Sequence, residues 1–252
     1  MSLDDRQLLR YSRHVLLDDI GVEGQEAISA AHVLVIGAGG LGSAALMYLA
    51  SAGVGTLTVV DHDSVDLTNL QRQIVHRQAS IGQLKAESAR DTLLALNPEI
   101  TIHSVTERMD AVSIRALVAR ADLVLDCTDN FTARQAINAA CVMHRKPLVS
   151  GAAVGWDGQV AVWGQPGQAC YACLFPPDAS VPALHCATMG VFAPLVGIIG
   201  ATQAAEALKT LIHAPKLTTL GGRLLMLDGR AMQWREIRVM ADLHCPVCHG
   251  LG

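Results

Sequence analysis

The chain has 252 residues, of which 51% are hydrophobic and 17% charged, with a formal net charge of −4. That length allows one large domain or two small ones around a full α/β core, and the apolar content argues against disorder. The acidic balance and the lack of a basic cluster argue against nucleic acid as the main partner, because neutralising phosphates needs a basic surface.

The first thirty residues scatter Asp4, Asp5, Arg6, Arg10, Arg13, Asp18 and Asp19 among apolar positions, so they contain no continuous signal-peptide core, and a cytoplasmic location is expected. Residues 4–30 read as amphipathic helices, with Leu8, Leu9, Tyr11, Val15, Leu16 and Leu17 as a buried stripe. Gly21 and Gly24 break the run before a second short helix, Gln25 to Ala30. Such an arm is extra to a minimal nucleotide fold and is a natural dimer contact.

His32 to Ile36 is a short β-branched run suited to a strand buried on both faces. Gly37, Gly39 and Gly42 follow in a G-x-G-x-x-G turn, then a helix over Ala44 to Ala50 with Gly53 as its stop. A second strand, Thr56 to Val60, ends at Asp61. This order describes a nucleotide-binding βαβ unit: the helix start offers free N–H groups to phosphate, and the terminal acid accepts from ribose hydroxyls. The competing reading is a glycine turn that serves only close helix–strand packing.

Next comes a polar segment, Asp63 to Gln73, with turn-forming Asp63, Ser64, Asp66 and Asn69 beside the cationic Arg72. Gly82 to Asn97 is a helix with Lys85 in its first turn and Pro98 past its end. A cation at the positive end of a helix dipole points to an anion nearby, or else to a solvated lysine. Strands over Ile100 to Val105 and Leu123 to Cys127 flank a helix from Ala111 to Ala119. The second of these strands leads into Thr128, Asp129 and Asn130, at the strand ends where open parallel sheets bind ligands. Asp129 could equally cap the following helix, Thr132 to His144.

Pro147 to Ala153 is a fifth strand, and from Gln159 to Trp163 the sequence changes character. Residues 164–190 show no regular period. Phe192 to Ile212 is a helix of small and apolar residues, and Leu224 to Leu227 with Gln233 to Val239 forms an antiparallel hairpin around Asp228 and Gly229. The longest apolar run, Met189 to Thr202, holds Pro194 and three glycines and is shorter than the roughly 20 residues a bilayer requires. No membrane span is expected.

Seven cysteines are an odd count for a disulfide framework. Four of them form two C-x-x-C pairs, Cys170 with Cys173 and Cys245 with Cys248, which suit one closed structural Zn²⁺ tethering the C-terminal segment. His244 and His249 could substitute as ligands, and thiol–disulfide chemistry on one pair is the rival reading. Cys127 and Cys141 fit core positions, while Cys186 lies in the irregular segment as a possible reactive thiol.

The succession of glycine turn, Asp61, Asn69 to Arg72, Lys85, Asp129, paired cysteines and Cys186 closely resembles the MoeB/ThiF/HesA family, relatives of the ubiquitin-activating enzymes. The resemblance runs from Arg10, Tyr11, Ser12 and Arg13 to the last cysteine pair. It implies a single α/β adenylyltransferase domain: a Rossmann-like, mostly parallel sheet with helices on both faces, an N-terminal helical arm, C-terminal antiparallel strands and a zinc knuckle. Within it, residues 1–31 form the arm, 32–153 the nucleotide-binding half and 154–252 a carrier-binding, zinc-bearing half. Since nothing follows Gly252, the short single-domain form is expected.

The implied reaction is ATP-dependent adenylylation of the C-terminal Gly-Gly of a ubiquitin-like sulfur carrier, later attacked by a sulfur donor protein. In that scheme Gly37, Gly39, Gly40 and Gly42 lie against ATP, with Thr68, Leu70, Gln71 and Asn130 lining the same site. Asp61 holds the ribose, and Asn69, Arg72 and Lys85 contact phosphates. Asp129 is linked to Mg²⁺, and Arg13 reaches across a homodimer to the partner subunit's ATP. Cys186 matches a cysteine that some members link covalently to the carrier.

Two pathways stay open. The starting segment from Arg10, with Gln233 to Arg235 and the last cysteine pair, resembles ThiF of thiamine synthesis. Gly82 to Asp91, Pro147 to Ala153 and Val191 to Gly197 resemble MoeB of molybdenum cofactor synthesis, which is favoured because these segments surround the nucleotide. An NAD-dependent oxidoreductase and a noncatalytic carrier-binding subunit are the alternatives from other classes.

Overall fold

The structure, a computed structural model, describes residues 3–179, 190–212 and 214–249. Among these, one eight-stranded sheet organises the fold, in the order β3-β2-β1-β4-β5-β6-β7-β8. The strands are β1 (His32–Ile36), β2 (Thr56–Val60), β3 (Thr101–Val105), β4 (Leu123–Asp126), β5 (Leu148–Val154), β6 (Asp157–Trp163), β7 (Arg223–Asp228) and β8 (Gln233–Arg238). The first five are parallel, because each is separated from the next by a helical crossover. The last three pair antiparallel: short turns join β5 to β6 and β7 to β8, whereas residues 164–222 run between β6 and β7.

Three short helices open the chain: α1 (Asp5–Arg10), α2 (Ser12–Val15) and α3 (Gly21–Ala30). The crossover helices are α4 (Gly40–Ser51), α5 (Lys85–Leu96), α6 (Ala111–Arg120) and α7 (Phe131–His144). They are followed by α8 (Tyr171–Leu174) and α9 (Ala193–Ile212). Alternate residues of the parallel strands feed two cores. Val33, Val35, Leu57, Val59, Leu123 and Leu125 face α4, α5 and α9, while Leu34, Ile36, Val60 and Val124 face α6 and α7. Gly200 lets α9 lie directly on α4, since a Cβ there would strike the Leu41 carbonyl oxygen.

The Rossmann-like sheet, helices on both faces and antiparallel C-terminal strands match the expectation, with corrections in detail. Gln159 to Trp163 belongs to a full strand that begins at Asp157, turned back by Gly155 at φ +57°. α8 interrupts the stretch expected to be irregular. α4 begins at Gly40, four residues earlier than the apolar spacing suggested, because the helix start is made of glycines.

The arm departs further from expectation. Tyr11 is buried and Leu8 and Val15 are half-buried, but Leu9, Leu16 and Leu17 are 78%, 69% and 53% exposed, so half of the expected stripe is uncovered among the described residues. Polar bonds tie the arm down instead: Asn97 donates to the Tyr11 hydroxyl at 2.9 Å, and Gln25 donates to the Ala52 carbonyl at 2.8 Å. α9, at 20 residues, is long and apolar enough to cross a membrane. It packs on α4 and the sheet, and buries Gln203, Glu206 and Thr210.

Candidate active site

The parallel register aligns Ile36 with Val60 and Asp126, and Asp126 with Ser150. Their successors Gly37, Asp61 and Cys127 therefore leave the sheet at the same carboxyl edge, while β5 runs on past Ser150 paired with β6. Gly37 has φ +99°, and a Cβ there would come within 2.7 Å of the Cys127 carbonyl oxygen. A Cβ on Gly42 would collide with the Gly37 carbonyl oxygen. Packing alone accounts for both of these glycines. Gly39 is different: its nearest neighbour would be the Gln73 side-chain nitrogen at 3.8 Å, so the space in front of it is open.

Asp61 braces the loop, its two carboxylate oxygens accepting from the N–H groups of Ala38 at 2.8 Å and Asp63 at 3.0 Å. The polar segment folds as a 3₁₀ turn, Leu67–Asn69, with a reciprocal cap. Asp66 accepts from the Thr68 N–H at 2.8 Å, and Asn69 Oδ1 accepts from the Asp66 N–H at 3.1 Å. The bonds from Thr68 hold the Asp66 carboxyl below its ordinary pKa. Thr68 and Gln71 are exposed, Leu70 half-buried. Arg72 donates to the Thr68 carbonyl at 3.0 Å and, among the described residues, meets no carboxylate.

Lys85 begins α5 in a buried position, its Nζ 2.9 Å from Asp63 Oδ2. The anion expected beside this helix start is thus in part the protein's own. Hydrogen bonding and charge from Lys85 hold the Asp63 carboxyl low, against the opposing effect of burial. On the other side of the edge, Asn130 caps α7 by accepting from the Ala133 N–H at 2.8 Å, the role open to Asp129 from sequence. Asp129 is left exposed, with no partner among the described residues.

Four residues that the sequence reading missed hold these loops. Asp126 Oδ1 accepts from the Thr128 N–H at 2.9 Å and from its hydroxyl at 2.7 Å, while Oδ2 is buried with no partner among the described residues. Burial raises the Asp126 pKa despite the nearby Arg134. Arg134 donates to the carbonyls of Thr128 and Gly151. Gln203, wholly buried in α9, donates to the Asp126 carbonyl at 2.9 Å. His76 lies beneath the glycine loop, 3.0 Å from the Ala38 carbonyl oxygen. Only Gln203 carried a signal in sequence: a polar side chain in an apolar helix needs a buried partner.

Arg13 is not part of this cluster. The arm packs at Gly53, where a Cβ would meet the Tyr11 ring, and Gly53 lies past the far end of α4. Twelve helical residues separate that end from the glycine loop, about 18 Å. Cys186 lies outside the described residues.

The second cluster is formed by Cys170, Cys173, Cys245 and Cys248, whose sulfurs lie within 4.8 Å of one another. Individual separations are 3.7 Å for Cys170 to Cys245, 3.9 Å for Cys173 to Cys170 and 3.6 Å for Cys173 to Cys248. A tetrahedral ion with metal–sulfur bonds of about 2.3 Å requires sulfur–sulfur edges of about 3.8 Å. The four thiols therefore fit a zinc ion. His244 and His249 are exposed and outside the group, which removes them as ligands.

A profile of the ThiF family matches residues 11–247. The chain is 47% identical over 247 residues to the molybdopterin-synthase adenylyltransferase of Escherichia coli, covering 98% of both chains. It is 45% identical over 249 residues to the sulfur carrier protein ThiS adenylyltransferase of the same organism, again covering 98% of both. Among solved structures, E. coli MccB shares the fold with a TM-score of 0.83 at 22% identity, over 96% of this chain and 74% of that one.

Proposed function

Because the chain belongs to the ThiF family, we propose that it uses ATP to adenylylate the C-terminal glycine of a small ubiquitin-like sulfur carrier, releasing pyrophosphate. The observation that carries this reading is near-full-length identity of 45% and 47% to two adenylyltransferases. The carrier is of the MoaD kind, in molybdenum cofactor synthesis. The 45% relative keeps a ThiS-like carrier, in thiamine synthesis, as the second reading. Hydride transfer would leave Arg72, Lys85 and Asp129 without a role.

The chemistry follows from charge. The attacking carboxylate is already ionised at neutral pH, so no general base is required. The difficulty is bringing one anion onto the α-phosphate of another, and the remedy is positioning and charge neutralisation. The open Gly39 N–H, the Asn69 side chain and the unmatched Arg72 guanidinium suit the phosphates, Lys85 adds a held cation, and Asp61 faces the ribose. The unpartnered Asp129 carboxylate suits Mg²⁺, an oxygen-seeking ion that would add further neutralisation when bound.

The remaining assignments extend the same reading. Arg13, remote from its own crevice on an arm with exposed apolar residues, serves the site of a second copy in a homodimer. Cys186 serves as a covalent acceptor of the activated carrier. Residues 32–153 bind nucleotide, and residues 154–252 bind carrier and zinc. Four metal-holding thiols suit the reducing cytoplasm.

The test is ATP–pyrophosphate exchange with purified MoaD-like and ThiS-like carriers ending in Gly-Gly. Exchange that requires a carrier, and is faster with the MoaD-like one, is the expected result. Exchange with neither would refute the reaction, and faster exchange with the ThiS-like carrier would reassign the pathway.

A further inference from the structure

We propose that His76 is a positioning residue: its imidazole fixes the Ala38–Gly39 peptide so that the Gly39 N–H faces the phosphates of ATP. The proposal rests on the reading of the crevice as an ATP site. His76 is 6% exposed, with Nε2 3.0 Å from the Ala38 carbonyl oxygen and Nδ1 2.9 Å from the Ser88 hydroxyl. A carbonyl oxygen can only accept, so Nε2 carries the proton. Burial lowers the pKa of the ring and keeps it neutral, which leaves Nδ1 to accept from Ser88.

The geometry of the peptide supplies the next step. In a trans peptide the carbonyl and the following N–H point in opposite directions, and the described chain has no cis peptide bond. With the Ala38 oxygen turned inward to His76, the Gly39 N–H is turned outward. Among the described residues it has no acceptor, and the space beside it is open. Asp61 takes the other polar group of Ala38, accepting its N–H at 2.8 Å. Both ends of this residue are therefore held by side chains from neighbouring segments. Ser88 stands one turn along α5 from Lys85, so the same imidazole links the glycine loop to the helix that carries the lysine.

A histidine that merely filled the core would leave nucleotide binding unchanged when replaced by a side chain that preserves the fold. A clamp on Gly39 predicts a loss confined to ATP, which a side chain able to donate in the same place restores. Titration calorimetry with MgATP alone tests this on the full chain, with zinc content and thermal unfolding as checks of folding.

His76→Leu should weaken MgATP binding at least about tenfold and raise the KM for ATP, while the KM for carrier is unchanged. His76→Gln should recover most of the loss, and Ser88→Ala should fall between. A folded His76→Leu that binds MgATP like wild type overturns the proposal, as does a His76→Gln no better than His76→Leu. If His76→Leu does not fold, Ser88→Ala decides: weakened binding supports the clamp and unchanged binding overturns it. Wild-type protein that fails to bind MgATP would overturn the ATP-site reading itself, and the clamp with it.

Discussion

Lys85 occupies the first position of α5, where the helix dipole disfavours a cation, and Asp63 holds it there. A buried ammonium already paired on one side is stiff, and stiffness is what a charge must have to act on a transition state. Replacing Lys85 or Arg72 with Ala should each slow pyrophosphate exchange by more than about tenfold, or about 1.4 kcal/mol. Near-wild-type exchange in both variants would remove them from the mechanism.

The sequence exposed Lys85 because a cation at a helix start breaks a local rule, and Arg72 through its place in the family's motif. It could not expose His76 or Arg134, whose partners are backbone carbonyls of residues distant in the chain. His76 and His32 also set a pH dependence. Burial lowers both pKa values below 6.5, so below that pH the unfolded chain binds more protons than the folded one. The stability these two histidines contribute should fall as pH drops through about 6.5 and level off below their folded pKa values. Urea midpoints measured across this range check it, and His76→Gln should flatten the slope.

At the level of elements, periodicity and glycine placement revealed the strands and most helices, but not what covers them. The arm's apolar spacing reads as a buried stripe, yet Leu9, Leu16 and Leu17 face outward, because burial depends on a partner surface that a helical period does not specify. Similarly, Gly37 and Gly42 satisfy packing while Gly39 does not, a division invisible in the G-x-G-x-x-G pattern. The cysteine pairs were more legible, since C-x-x-C spacing carries its own geometry. Cys245 and Cys248 sit in a turn near the chain's end, and Cys170 and Cys173 belong to the α8 segment packed on α7. Cys248→Ser should therefore lower zinc content and increase proteolysis after residue 238, leaving the sheet intact. Unchanged zinc stoichiometry in that variant would contradict a four-thiolate site.

Across the whole molecule, the sheet gathers the glycine loop, Asp61, Lys85 and Asp129 at one edge, while the arm lies at the opposite end of α4. Strand order and this distance were beyond the sequence, because both arise from long-range pairing. Together with the proposed homodimer, this distance makes a sharp prediction for Arg13. Arg13→Ala and Lys85→Ala proteins should each lose more than about tenfold alone, but mixing and reassociating them should restore about a quarter of wild-type activity, since half the dimers then carry one intact site. No recovery on mixing would place Arg13 outside the partner's site.

The central claim is that the crevice lets the carboxylate of a small protein attack ATP. The direct measurement is the intact mass of a Gly-Gly-terminated sulfur carrier after incubation with this protein and MgATP, with pyrophosphate removed. The expected result is a carrier heavier by one AMP group, which is lost on addition of pyrophosphate. A carrier of unchanged mass in the presence of ATP-bound protein would contradict it.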